Sequence, residues 1–385
     1  MSGSARLARV FGIDVRVHFT FAFVLLWVAI EFGDRHGARG ALFGTLAMVL
    51  LFACITLHEL GHSLVARRFG ATVREIVLLP IGGLARMSRE PSRPVHELLI
   101  AIAGPLVNLA IVAGLSAVLV ARVGVVLPDQ AFWAAEMDKL GVNALLMWLL
   151  AGNLVLALFN LLPAFPMDGG RVLRALLAIW LGRPRATVIA AGVGQVLAIA
   201  MAGLGIAAQS PLLVLAAVFV FFGAAQERLA SRALEILSQL TAGEVCNPNA
   251  QTLAPGDDLG DVVDHALRSN QTLFPLVYGT ELIGVVLRDD ALLAAERLGL
   301  RASVRQVLRR DLPVCESATP LLTVRDQLSE GGRPVVVVDG QRLLGILGPD
   351  DLARISLLAS RLVSAGIRRP EAPASEPSSA PGSAL

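Results

Sequence analysis

Up to about residue 227 the chain is written in long apolar runs almost free of charge, and a water-soluble domain cannot bury so much continuous hydrocarbon. Apolar residues make up 55% of the 385, and the mean hydropathy is +0.67. The expected fold class is therefore a membrane all-α region. A span needs about 20 mostly apolar residues, and candidates lie near 17–33, 41–66, 96–121, 142–165, 186–208 and 211–228. The run from Arg171 to Leu181 is short and interrupted by Arg174, so it is expected at the membrane interface. Beyond Arg228 the chain becomes charged and alternating, as in an ordinary soluble domain.

The net charge of +2 offers no electrostatic footprint for nucleic acid. Cys54, Cys246 and Cys315 lie too far apart for a metal-binding or redox pair and suit a reducing or membrane-buried setting. Met1 to Val17 lacks a short apolar region followed by a cleavage site, so the first apolar run is expected to stay attached. Arg6, Arg9, Arg16, Arg67, Arg68, Arg74, Arg86, Arg89, Arg93, Arg171, Arg174, Arg183 and Arg185 fall on one side of the six spans; Arg35, Arg39, Arg122 and Lys139 fall on the other. The positive-inside rule then places both termini in the cytoplasm of a multi-pass protein, with a bacterial cell membrane as the expected location.

The second run contains His58-Glu59-Leu60-Gly61-His62. In a helix His58 and His62 project from one face a turn apart, where both imidazoles reach one metal and Glu59 beside them is free to act as a base. Counted from Arg67, these residues lie on the order of 10 Å inside the membrane at 1.5 Å per residue, a depth where polar side chains mark functional cavities. A catalytic zinc keeps three protein ligands and an open position, so a third ligand must come from elsewhere. Asp168 is the candidate: it follows Pro163 and Pro166, which break the fourth run, and precedes Gly169-Gly170. The same acid could instead cap the following helix.

HELGH in the second run, with Asn160-Leu161-Leu162-Pro163-Ala164-Phe165-Pro166-Met167-Asp168-Gly169-Gly170 after the fourth, resembles the site-2 protease family of intramembrane zinc metalloproteases over most of residues 10 to 235. The resemblance implies a zinc ion bound by His58, His62 and Asp168, with Glu59 as general base and then acid in peptide hydrolysis. It implies a single-span membrane protein as substrate, often a membrane-anchored regulator. The family's Gly-Pro-x-x-Asn element is matched by Gly104 to Asn108, read here as close helix packing. Asn160 is a candidate for binding the substrate backbone or the oxyanion, or for satisfying the broken helix. Cys54, a turn before His58, is either a redox-sensitive neighbour of the metal or a small buried filler. Residues 72 to 87, β-branched with Pro80 and Gly82-Gly83, read as a membrane-associated β-hairpin; similar loops in the family are thought to hold substrate by strand addition, and a structural cover is the alternative.

Val277 to Asp290 and Val338 to Asp351 repeat one pattern 61 residues apart, strand, Gly turn, strand and acidic helix start. This resembles a tandem pair of CBS domains, α/β in class. The expected organisation is a membrane protease domain at 1–235, CBS domains at 241–297 and 300–358, and a disordered tail at 368–385. The resemblance maps ribose contacts of an adenine nucleotide onto Asp290 and Asp351, but the usual hydroxyl residue is replaced by Leu287 and Gly348. The other reading is a pair that dimerises, giving a homo-oligomer, or packs on the membrane domain. Two rivals to a protease are a CBS-regulated ion transporter and an inactive scaffold; transport would favour oxygen ligands and inverted repeats, and the intact His58, Glu59, His62 and Asp168 oppose both.

Overall fold

The computed structural model describes residues 3–80, 82–87, 93–124, 135–311, 313–331 and 333–365. The segment at 368–385 expected to be disordered lies outside them. The chain divides into two compact units, Met1–Arg228 and Leu229–Leu385.

In the first unit, helix α1 covers Phe21–Arg68, with non-helical His36 and Gly37 inside it. Gly37 has φ 61, a left-handed value that glycine adopts at little cost. The two arms fold back on one another. Val28 and Gly44 would stand about 24 Å apart along a straight helix, yet a methyl built on Gly44 would lie 3.0 Å from Val28 Cγ1. The rings of Phe21 and Phe52 likewise meet at 4.4 Å between centroids. Among the described residues five helices are long and apolar enough to cross a membrane, and the folded-back α1 offers two passes, which reconciles five helices with six expected spans.

The expected hairpin forms as β3 (Val73–Leu79) and β4 (Gly82–Met87). It is half of a four-stranded sheet ordered β1-β2-β3-β4, with β1 at Ser4–Val10 and β2 at Ile13–His18. β2 runs parallel to β3 and antiparallel to β1. Sequence reading missed β1 and β2, although Ile13, Val15 and Val17 alternate with Asp14 and Arg16 as a half-buried strand should. Ile13, Val15, Ile76 and Leu78 pack against Phe52, Leu60 and Ala66 of α1, so the sheet rests on the helix that carries HELGH.

Helix α2 spans Pro94–Val123, α3 Val142–Asn160, α4 Asp168–Leu181, α5 Arg183–Ala207 and α6 Pro211–Ser238. The break between α3 and α4 falls at Leu161–Met167, where Pro163 and Pro166 cannot donate to a helical ladder. Gly169 and Gly170 let this segment fold tightly back, since a methyl on either would stand 2.2 Å from Leu162 O or 2.6 Å from the carbonyl carbon of Ala164.

The second unit contains α7 (Ala242–Val245), α8 (Leu259–Arg268), α9 (Arg288–Leu298), α10 (Leu321–Gly331) and α11 (Pro349–Ser364). Its sheet has the order β5-β6-β9-β8-β7. Two antiparallel hairpins, β5–β6 (Leu273–Tyr278 and Glu281–Leu287) and β8–β9 (Val335–Asp339 and Arg342–Leu347), meet edge to edge at Glu281 and Arg342. β7 (Val314–Glu316) pairs with β8. The hairpin turns use Gly279 and Gly340 at φ 64 and 63, so the repeat read in the sequence is a repeat of backbone geometry.

Candidate metal centre

The site is built on the inner arm of α1, a turn of α2, and the start of α4. His58 and His62 are buried, at 6% and 4% exposure, and Asp168 at 9%. Their orientation follows from what holds the far side of each ring. His62 Nδ1–H donates to the carbonyl oxygen of Ile100 at 2.6 Å, and His58 Nδ1–H donates to Asn108 Oδ1. The amide of Asn108 is fixed in turn: its Nδ2 donates to Asn153 Oδ1 at 2.9 Å, and Asn153 Nδ2 donates to Leu149 O at 2.8 Å. A backbone carbonyl can only accept, so each link of this chain has one possible sense. Both histidines are thereby committed as Nδ1 donors, which in the neutral ring leaves Nε2 as a lone-pair acceptor on each.

The two Nε2 atoms stand 3.0 Å apart, and Asp168 Oδ2 lies 3.2 Å from His58 Nε2 and 3.1 Å from His62 Nε2. With both rings neutral, three lone pairs converge in a buried place. A proton relieves one such contact; a cation at the centre relieves all three. Ligands about 2.0–2.1 Å from a tetrahedral zinc are separated by about 3.3 Å, close to what is found. The donor set of two imidazoles and a carboxylate suits zinc better than calcium or magnesium. Asp168 does not cap α4 through its side chain; Met167 holds the N-cap position without a side-chain bond.

Gly104 closes the site from α2: a methyl there would stand 2.2 Å from His62 Nε2 and 2.7 Å from His58 Cε1. The Gly104–Asn108 element, read as packing, therefore shapes the pocket and orients a histidine. Sequence reasoning assigned no such role to Asn108 or Asn153. An Asn in the middle of an apolar run was the available signal.

The three residues line a cavity of about 880 Å³ together with Glu59, Asn160 and Arg171. Its walls include Trp27, Met48, Leu156 and Phe219, and Gly82 to Ala85 of β4. Gly83 faces Glu59, since a methyl on it would stand 2.4 Å from Cγ. Cys54 is partly buried and is not among the described residues lining the cavity.

The two acids in the second unit stand apart from this centre in sequence and are engaged locally. Asp290 receives Arg309 Nε at 2.7 Å. Asp351 accepts the backbone N–H of Gly348 at 3.0 Å and pairs with Arg354 at 3.2 Å.

A buried site of two histidines a turn apart and one aspartate, with a glutamate in the same cavity and apolar helices around it, defines a membrane-embedded metallohydrolase. The model of peptidase family M50 matches residues 46–204, and that of the CBS domain matches 242–297 and 304–357. A zinc metalloprotease of Methanocaldococcus jannaschii is 33% identical over 92% of this chain and 96% of its own length. Stage IV sporulation protein FB of Bacillus subtilis is 30% identical over 38% of this chain and 44% of its own. The solved structure of a site-2 protease from Methanocaldococcus jannaschii is 39% identical, covering 58% of this chain and 95% of that one, with a TM-score of 0.43. The chain belongs to peptidase family M50: it is a multi-pass membrane zinc metalloprotease of the site-2 protease type with a tandem CBS pair.

Proposed function

We propose that the chain hydrolyses peptide bonds of membrane-spanning proteins at a zinc ion held by His58, His62 and Asp168, with Glu59 as the proton carrier. The observation that carries this reading is the convergence of three acceptor atoms within 3.2 Å of one another in the cavity that Glu59 lines. Zinc bound there supplies Lewis acidity, polarising a carbonyl and making water a nucleophile near neutral pH. Glu59 takes the proton of the attacking water and returns it to the leaving amine. Asn160, on the cavity wall, offers its amide to the substrate backbone or the developing oxyanion. β4 ends the sheet, so one side of its backbone lacks a sheet partner among the described strands; an unwound substrate segment can pair there beside Glu59.

The substrate class is a single-span membrane protein, such as a membrane-anchored regulator, reached from surrounding lipid. The arginine distribution supports cytoplasmic termini and hence a cytoplasmic CBS pair. That pair gates access to the cavity on binding an adenine nucleotide near Asp290 and Asp351, or serves as a homo-oligomer contact; the engagement of Asp290 by Arg309 counts against the nucleotide contact at that residue.

The test is zinc content and cleavage of a single-span test substrate by purified wild type and Glu59→Gln. Zinc in both, with cleavage lost only in the variant, is the expected result. Equal cleavage in both would remove Glu59 from the chemistry, and a wild type without zinc or cleavage would overturn the reading.

A further inference from the structure

Arg174 occupies an unusual place for an arginine. It sits on α4, 6% exposed, and its guanidinium reaches three separate pieces of the membrane unit. Nε donates to Glu97 Oε1 on α2 at 2.7 Å, and Nη2 stands 2.5 Å from the same oxygen. Nη1 pairs with Glu227 on α6. The guanidinium carbon lies 5.1 Å from the ring centroid of Phe165, in the unwound segment that delivers Asp168. Arg183 approaches the other oxygen of Glu97 at 3.7 Å, so two cations and two carboxylates balance one another.

A buried ionic cluster of this kind seldom stabilises a fold more than well-packed apolar residues would, because desolvation offsets the attraction. What it supplies is fixed geometry: a planar guanidinium held on two edges, by one oxygen of Glu97 and one of Glu227, tolerates little displacement. The positions it ties together are those on which the metal ligands depend. Glu97 precedes by one turn the Ile100 carbonyl that receives His62 Nδ1–H. Arg174 lies on the helix that begins with Asp168, about 9 Å further along its axis at 1.5 Å per residue. Asp168 follows a non-helical segment, so its carboxylate is only as well placed as α4 itself. Metal ligands must be held within about 0.5 Å to bind well.

We propose that the Glu97–Arg174–Glu227 cluster is a positioning device for the metal centre, locking α4 to α2 and α6 so that Asp168 Oδ2 meets both histidine Nε2 atoms. Arg174, Glu97 and Glu227 are positioning residues; none touches the reacting atoms. The inference rests on the reading that His58, His62 and Asp168 hold a metal.

The experiment uses the purified full-length chain with Co²⁺ as probe, comparing wild type with Glu227→Gln and Arg174→Lys. It records the dissociation constant, the visible absorption of bound Co²⁺, and kcat and KM on a single-span test substrate. Both variants are expected to bind Co²⁺ about tenfold or more weakly, the range typical of lost outer partners, with altered band intensity and a lower kcat at similar KM. The Glu227 side chain is 36% exposed, so Glu227→Gln carries the test alone should Arg174→Lys fail to fold. Wild-type affinity and spectrum in a folded variant, with only thermal stability reduced, would overturn the inference. A wild type that binds no Co²⁺ would instead overturn the metal reading beneath it.

Discussion

His58 turns its Nδ1–H to Asn108, a residue of another helix that is itself gripped by Asn153. The ring's tautomer and rotation are therefore set by a buried amide chain rather than by the helix that carries it. Asn108→Ala is expected to weaken zinc binding by about 10- to 100-fold, as loss of such outer partners does, and to leave folding in detergent intact. Competition with a chelator of known affinity measures it; unchanged affinity would show that packing alone orients His58.

Gly104→Ala should be harsher although it touches no hydrogen bond. The added methyl would stand 2.2 Å from the atom of His62 that faces the metal position, and neither the imidazole nor α2 can yield without opening the site. Zinc content close to nil in a folded variant is the expected outcome, and a zinc-replete, active Gly104→Ala would contradict the geometry.

Gly83→Ala tests the proposed role of Glu59 apart from the three candidate ligands. Its methyl would meet Glu59 Cγ at 2.4 Å, displacing the carboxylate while leaving both histidines alone. The variant should hold zinc like wild type and lose at least about tenfold in kcat, a modest part of what general acid–base catalysis contributes. Equal losses of zinc and of rate would point to collapse of the sheet instead.

In the second unit, Cys315 is buried on β7, and desolvation, with lesser contributions from Cys246 and Glu316, pushes its thiol from 9.0 up to about 11. The folded thiol keeps its proton where an unfolded one releases it. This contribution to stability is complete below pH 9 and fades as the pH rises through about 11. Alkylation at pH 8, followed by mass spectrometry, should find Cys315 slow to react in the folded chain and fast in denaturant; equal rates would refute it.

The parts of this protein legible in its sequence are those written locally. Hydropathy marks the helices, HELGH places two imidazoles a turn apart by helix geometry alone, and the 61-residue repeat announces the CBS pair. Pro163 and Pro166 show where the fourth span must break, and hence where Asp168 can turn inward. What escaped depends on partners distant in sequence. Asn108 reaches back to His58, and Arg174 to Glu97 and forward to Glu227; each looks, in its own segment, like a flaw in an apolar helix. The fold-back of α1 hangs on Gly37, one glycine among 36. The alternation in β2 was visible, but its parallel pairing with β3 across the whole of α1 was not.

The fit of Gly104 against both imidazoles has an evolutionary corollary. A relative could keep HELGH and the aspartate intact and still have lost its metal through one codon that exchanges this glycine for a larger residue. Position 104 is the place where such silent retirement would be written, with both histidines and the aspartate still in the sequence.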